Sequence, residues 1–144
     1  MILDDTLVLS DAQAITASAA STNIIDLGAT GTAFGHAAAL ARDVGKGPIS
    51  IPIIVNVVET FATLTSLQVA LQVDDDAAFG SPTTIATGPA IAAATLVAGY
   101  RFTFPAELPE GTSERYLRLN YTVAGTNASA GKITAAIVAG RQTN

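Results

Sequence analysis

The residues of this 144-residue chain that could do chemistry are few and scattered. There is one histidine, His36, and no cysteine. A serine-type triad needs its histidine beside an acid and an activated serine. The run AFGHAAA around His36 is neither a nucleophile elbow nor another hydrolase signature. Imidazole-rich and zinc centres need clusters of histidine or cysteine, which a single histidine cannot supply. Asp74, Asp75 and Asp76 offer carboxylate oxygens to calcium. An EF-hand loop alternates its ligands, turns on a glycine and ends in a distal glutamate, so this triplet reads instead as a solvated acidic turn. Gly28, Gly31 and Gly35 are a weak match to a phosphate-binding loop. The Walker pattern needs a glycine five residues before its Gly-Lys and a serine or threonine after it; around Gly45 and Lys46 those places hold Leu40 and Gly47. Glu107, Glu110 and Glu114 could pair as glycosidase carboxylates, but they sit in a proline-bearing stretch, and the chain has no tryptophan to stack a sugar. No catalytic, cofactor-binding or metal-ligating residue is assigned, and the expectation is a structural or binding protein rather than an enzyme.

Composition narrows the class further. The length fits one domain, large enough to bury roughly 68–70% of the surface its unfolded chain exposes. A net charge of −5 with scattered basic residues argues against a nucleic-acid partner. Much of the 49% hydrophobic content is alanine, and no apolar run approaches the ~20 residues of a membrane span. The start of the chain lacks a basic region ahead of an apolar one, so no signal peptide is expected. The absence of cysteine favours a reducing compartment such as a cytoplasm.

The elements that would position these residues are strands. In residues 114–123, Leu117, Leu119, Tyr121 and Val123 alternate with Tyr116, Arg118, Asn120 and Thr122. That period places one set on a buried face and the other on a wet face. A glycine-marked loop and a second apolar run at 132–138 follow, read as a long-looped hairpin. Residues 64–73 alternate in the same way, with Leu67, Val69, Leu71 and Val73 on one face. Further strands are expected at 23–27, at 49–58 with a bend at Pro52, at 83–86, and at 100–104, while Phe79 is expected to fold back as an apolar anchor. Residues 28–47 form a long glycine-punctuated connection, with one helical turn at 37–42; a connection of that length is usually functional or ordered by a partner. About eight closely spaced strands with glycine or proline turns give an all-β, jelly-roll-like antiparallel β-sandwich, with an immunoglobulin-like sandwich as the competitor. The domain is placed at 23–144 and a flexible N-terminal arm at 1–22, whose small polar run DAQAITASAAST has little to pack.

Two segments together carry a resemblance. DAQAITASAASTNIIDLG at 11–28 is followed by RDVGKG at 42–47, and ERYLRLNYTVAG at 114–125 is followed by AGKIT at 130–134. This pairing resembles the capsid cement, or decoration, proteins of tailed bacteriophages, in the jelly-roll form found on short-tailed phages. The resemblance implies a small protein made in the host cytoplasm that sits on the outer surface of the head and bridges neighbouring major capsid subunits against the pressure of packaged DNA. It implies a homodimer or homotrimer, with no cofactor and no membrane or nucleic-acid partner. The contact candidates are Thr6, Leu7, Val8 and Leu9, as a strand added to a neighbour's sheet edge, then Phe34 and Arg42 in the long connection, and Tyr116, Arg118 and Asn120 on the wet strand face. The competing reading is a small jelly-roll module that recognises a carbohydrate or host receptor on a phage particle.

Overall fold

The computed structural model describes residues 3–141; the outermost residues of the expected arm and domain lie outside it. The fold is all-β and antiparallel. Its strands are β1 (Val8–Ala14), β2 (Ala19–Ala20), β3 (Ile25–Asp26), β4 (Ile53–Asp74), β5 (Thr83–Thr87), β6 (Ile91–Ala92) and β7 (Tyr116–Ile137). They join into one sheet with the path β1-β7-β4-β5, with β2 and β3 also pairing with β7 and β6 with β4. The helical pieces among the described residues are two three-residue 3-10 turns, Asp5–Leu7 and Ala93–Thr95.

β4 and β7 are the frame. Each has 22 residues, and they pair from Ile53↔Ile137 to Asp74↔Tyr116. At ~3.3 Å per residue such strands would span about 70 Å if straight, and a straight pair could not enclose a core. They bend midway, where the register shifts repeatedly between Val57 and Ser66. Thr63 takes a φ of 73° there, and on the facing strand Gly125 and Gly131 take 81° and 134°. A Cβ on Gly131 would lie 2.2 Å from the Phe61 ring, and one on Gly125 would lie 2.1 Å from Thr65 Oγ1. Only glycine allows both the dihedral and the close approach. Bulged corners of this kind let one strand serve both layers of a sandwich.

The two halves of this ribbon carry different neighbours. Residues 53–59 of β4 face 132–137 of β7, with β1 on the far side of β7. Residues 64–74 face 116–125, with β2 and β3 beside β7 and β5 and β6 beside β4. Along the open side of the first half runs an irregular ribbon. There Phe102 N–H donates to Val55 O at 2.9 Å, Val57 N–H to Tyr100 O at 2.8 Å and Ile53 N–H to Ala106 O at 2.9 Å. The expected sandwich of about eight strands is therefore present as seven strands and one irregular ribbon. Leu9, Ile15, Val55, Phe61, Leu67, Leu71, Leu117, Leu119, Tyr121 and Ile133 share a single core cluster drawn from both halves. Burying a side chain of this size stabilises the fold by about 1.5–3 kcal/mol. Both alternating runs bury the expected sets, with Val123 only partly covered.

Several expectations are corrected. The segments at 114–123 and 132–138 are not the arms of a hairpin but parts of β7, because the intervening glycines bend the strand instead of reversing it. The runs at 49–58 and 64–73 likewise merge into β4, which Pro52 precedes rather than bends. Residues 100–104 form no regular strand, only the isolated Asn56↔Arg101 bridge and the backbone bonds of the irregular ribbon, and 37–42 contain no helical turn. The segment expected to be a flexible arm contains β1 and β2. Val8, Leu9, Ser10 and Ile15 are buried, and β1 pairs with β7 from Val8↔Ala136 to Ala14↔Lys132. The small residues that seemed to offer nothing to pack let β1 and β2 lie along a neighbour, with Leu9 and Ile15 as anchors. The outer edge of β1 is also occupied. Asn23 donates to Leu9 O at 3.0 Å and to Val8 O at 3.1 Å, and Gln13 Nε2 donates to Ala20 O at 2.8 Å. That edge is closed to a neighbour's strand.

Candidate functional site

The connection from β3 to β4 is clamped at both ends by the same device. Asp26 Oδ1 accepts from Gly28 N–H at 2.7 Å, and Asp43 Oδ1 accepts from Gly45 N–H at 3.2 Å. An aspartate bonding the backbone two residues on forms an Asx turn. Both feet then grip the loop before β7. Arg115 donates to Asp26 through Nε at 2.8 Å and Nη2 at 2.7 Å, and Leu27 N–H donates to Arg115 O at 2.8 Å. Asp43 Oδ2 accepts from Gly111 N–H at 2.9 Å, and Val44 N–H donates to Thr112 O at 3.0 Å. The bidentate guanidinium, with the Gly28 N–H, holds the Asp26 carboxyl at a pKa of about 2, and its partner Arg115 is pushed up. Lys46 and Glu110 add an exposed pair at 3.3 Å, a contact of little energetic weight.

Between the feet the chain stands out as a finger. Thr32 and Ala39 form a bridge, Leu40 N–H donates to Gly31 O at 2.9 Å, and His36 N–H donates to Ala33 O at 3.0 Å. The Arg42 Nη2 closes the neck by donating to Gly28 O, while its Nη1 is buried without a partner. Phe34 sits at the tip with a relative exposure of 107%. Leu40 and Ile49, in the same connection, are also exposed. At the base is an open depression of about 320 Å³ whose lining includes Thr30, Arg42, Asp75, Glu114 and Arg115. Its guanidinium groups and carboxylates offset one another, so it does not present a strong field of one sign.

The other candidates are distributed as follows. Tyr116 lies beside the clamp, paired with Asp26 across the sheet, and the Arg115 guanidinium stands 5.0 Å from its ring centroid. Arg118 lies farther along β7 and is used internally. It donates to Gln72 Oε1 at 2.9 Å and stacks 4.2 Å from the centroid of Phe79, the buried anchor expected from the sequence. Its partial burial lowers its pKa. Asn120 is half-buried. Thr6 is exposed in the first 3-10 turn, bonded through N–H and Oγ1 to Asp4 Oδ1. Leu7 packs partly on the core, and Val8 and Leu9 are inside it. Arg42 and Tyr116 thus lie at the clamp, with Phe34 at the tip of the finger that it holds, while Thr6 to Leu9 belong to the opposite half of the ribbon.

His36 is exposed on the finger. Asp75 and Asp76 are exposed, but Asp74 is buried rather than solvated. Its two oxygens accept from the Asp76 and Ser81 N–H groups, both at 3.0 Å, and these bonds lower its pKa. Among the described residues no group of three or more His, Cys, Asp or Glu is placed to hold a metal ion, and no helix is long and apolar enough to cross a membrane. Sequence reasoning missed Asp26, Asp43 and Arg115. The repeated Asp-x-Gly at 26–28 and 43–45 is the signal that could have found the two aspartates; Arg115 is far from both in sequence.

The family model Bbp16 matches residues 9–137, from the second residue of β1 to the end of β7. The chain belongs to the Bbp16 family. Bbp16 is a phage-related family, so the protein is phage-associated. The matched range spans most of β1, the clamped finger and the long ribbon. No curated protein matches the chain.

Proposed function

We propose that this protein is a structural, non-enzymatic component of the virion. It binds the outside of a phage head as a homodimer or homotrimer and cements neighbouring major capsid subunits against the pressure of packaged DNA. Membership of a phage-related family over residues 9–137 carries this reading. The sequence resemblance to cement proteins supports the finer role, and so does the form of the molecule. A cement must hold its shape while its partners are under load, and a sandwich framed by two 22-residue strands is suited to that. It must also bind through small contacts, and a clamped loop loses little entropy on docking.

The test is addition of the purified protein to heads that lack it. Near-stoichiometric occupancy of the head surface by cryo-EM, with a higher temperature for DNA release, is the expected result. Binding to tails or to glycans with none to heads would overturn the reading in favour of a receptor- or carbohydrate-binding module.

A further inference from the structure

We propose that residues 28–42 form a docking finger whose Phe34 ring inserts into an apolar socket on a different virion protein. The inference rests on the chain being a virion protein but not on its position on the head. The side chain of Phe34 is more exposed than any other large hydrophobic residue among those described. It is exposed on a held structure, not on a slack loop. The Thr32↔Ala39 bridge, the Leu40 to Gly31 bond, the Arg42 neck and the two Asx-turn feet fix the tip relative to β3 and β7. Aromatic anchors that fill a pocket dominate the energetics of interfaces, and a preformed one avoids the cost of ordering.

The chemistry of the partner follows from charge and shape. Between Gly28 and Ala41 there is no lysine, arginine, aspartate or glutamate, in a chain of net charge −5. A neutral, apolar tip has no cation with which to hold a phosphate backbone, and it matches a neutral, apolar cavity. A second copy of this chain is a poor host. Two open depressions among the described residues are lined chiefly by polar residues, one including Thr30, Arg42, Asp75, Glu114 and Arg115 and the other including Asp5, Thr6, Thr22 and Asn23. A phenyl ring seated there would strip water from those groups without bonding to them.

The experiment adds full-length protein to purified heads and purified tails, separately, from particles that lack it, and reads binding by co-sedimentation. Phe34→Ala should weaken binding to whichever sub-assembly takes the wild type by at least about tenfold, and Phe34→Leu should recover much of it. Thermal unfolding should be unchanged in both variants. A photo-crosslinking phenylalanine analogue at position 34 should join the chain to a polypeptide of that sub-assembly. Wild-type binding by Phe34→Ala, crosslinks confined to copies of this chain, or no binding to either sub-assembly would overturn the finger. Phe34-dependent binding to tails alone would uphold the finger and remove the head reading. Phe34-independent binding to heads would do the reverse.

Discussion

Ser10 in β1 and Tyr121 in β7 share a hydroxyl–hydroxyl hydrogen bond of 2.8 Å inside the core. Ser10 Oγ also donates to Gln13 Oε1 at 2.7 Å, and Gln13 bonds the backbone at Ala20 and Thr22. A buried tyrosine needs a partner for its hydroxyl, and this one ties the first half of β7 to the edge strand β1. Ser10→Ala should destabilise the protein by about 1–3 kcal/mol, because it strands the phenol. Tyr121→Phe should cost less, since Ser10 keeps Gln13. Urea titration of both variants checks the order.

The same tyrosine predicts an alkaline limit. Burial raises its pKa above the ordinary value of 10.0. The unfolded chain loses this proton near pH 10 while the folded chain keeps it, so the unfolded state binds fewer protons and stability falls as pH rises above about 10. Denaturant midpoints between pH 8 and 11 should show that decline, and Tyr121→Phe should flatten it.

The Asp26–Arg115 clamp predicts an acid response at the base of the finger. The carboxyl titrates at about 2, against 3.8 unperturbed. Its contribution is present above the unperturbed value and fades as pH falls toward 2. An NMR titration should place Asp26 near 2 in the wild type and move it up in Arg115→Gln. Amide exchange at residues 28–42 should rise in that variant, with the core strands unaffected.

The corner of the ribbon should tolerate no side chain at position 131. Gly131→Ala combines a φ of 134° with a Cβ 2.2 Å from the Phe61 ring. A loss of about 1–3 kcal/mol is expected from strain and overpacking, read as a lower melting temperature.

Truncation separates the turn from the strand. Removing residues 1–6 takes away the exposed positions 3–6 and should leave the melting temperature nearly unchanged. Removing residues 1–10 takes Val8, Leu9 and Ser10 out of β1 and should prevent stable folding. Leu9→Ala alone should cost about 2–5 kcal/mol.

Much of the fold was legible because period-two alternation is a local signal. Leu117, Leu119 and Tyr121, and Leu67, Val69 and Leu71, declared their buried faces directly. Continuity was not legible. A glycine that bends a strand and a glycine that reverses one look alike in sequence, so β7 read as two strands; in β4 the register shifts around Thr63, with its φ of 73°, break the alternation in the same way. β1 was hidden for another reason: Ala12 takes a positive φ of 43° and the register with β7 slips twice, which breaks the alternation. At the candidate site, Phe34 and Arg42 were named in advance, but the clamp beneath them depends on Arg115 meeting Asp26 across a separation of 89 residues. Arg118 looked free because the phenyl ring and the amide that occupy it belong to other parts of the chain.

The place of β7 in the sheet also sets an order in time. Among the described strands it is the last to be made, yet it lies between β1 and β4 and supplies the pairing for β2 and β3 as well. On the ribosome, the first three strands therefore wait without partners until residues 116–137 emerge. Contacts this distant in sequence make folding slow, on the scale of milliseconds to seconds for β-rich topologies. The protein acquires its full sheet, and with it the clamped finger, only once β7 has been made.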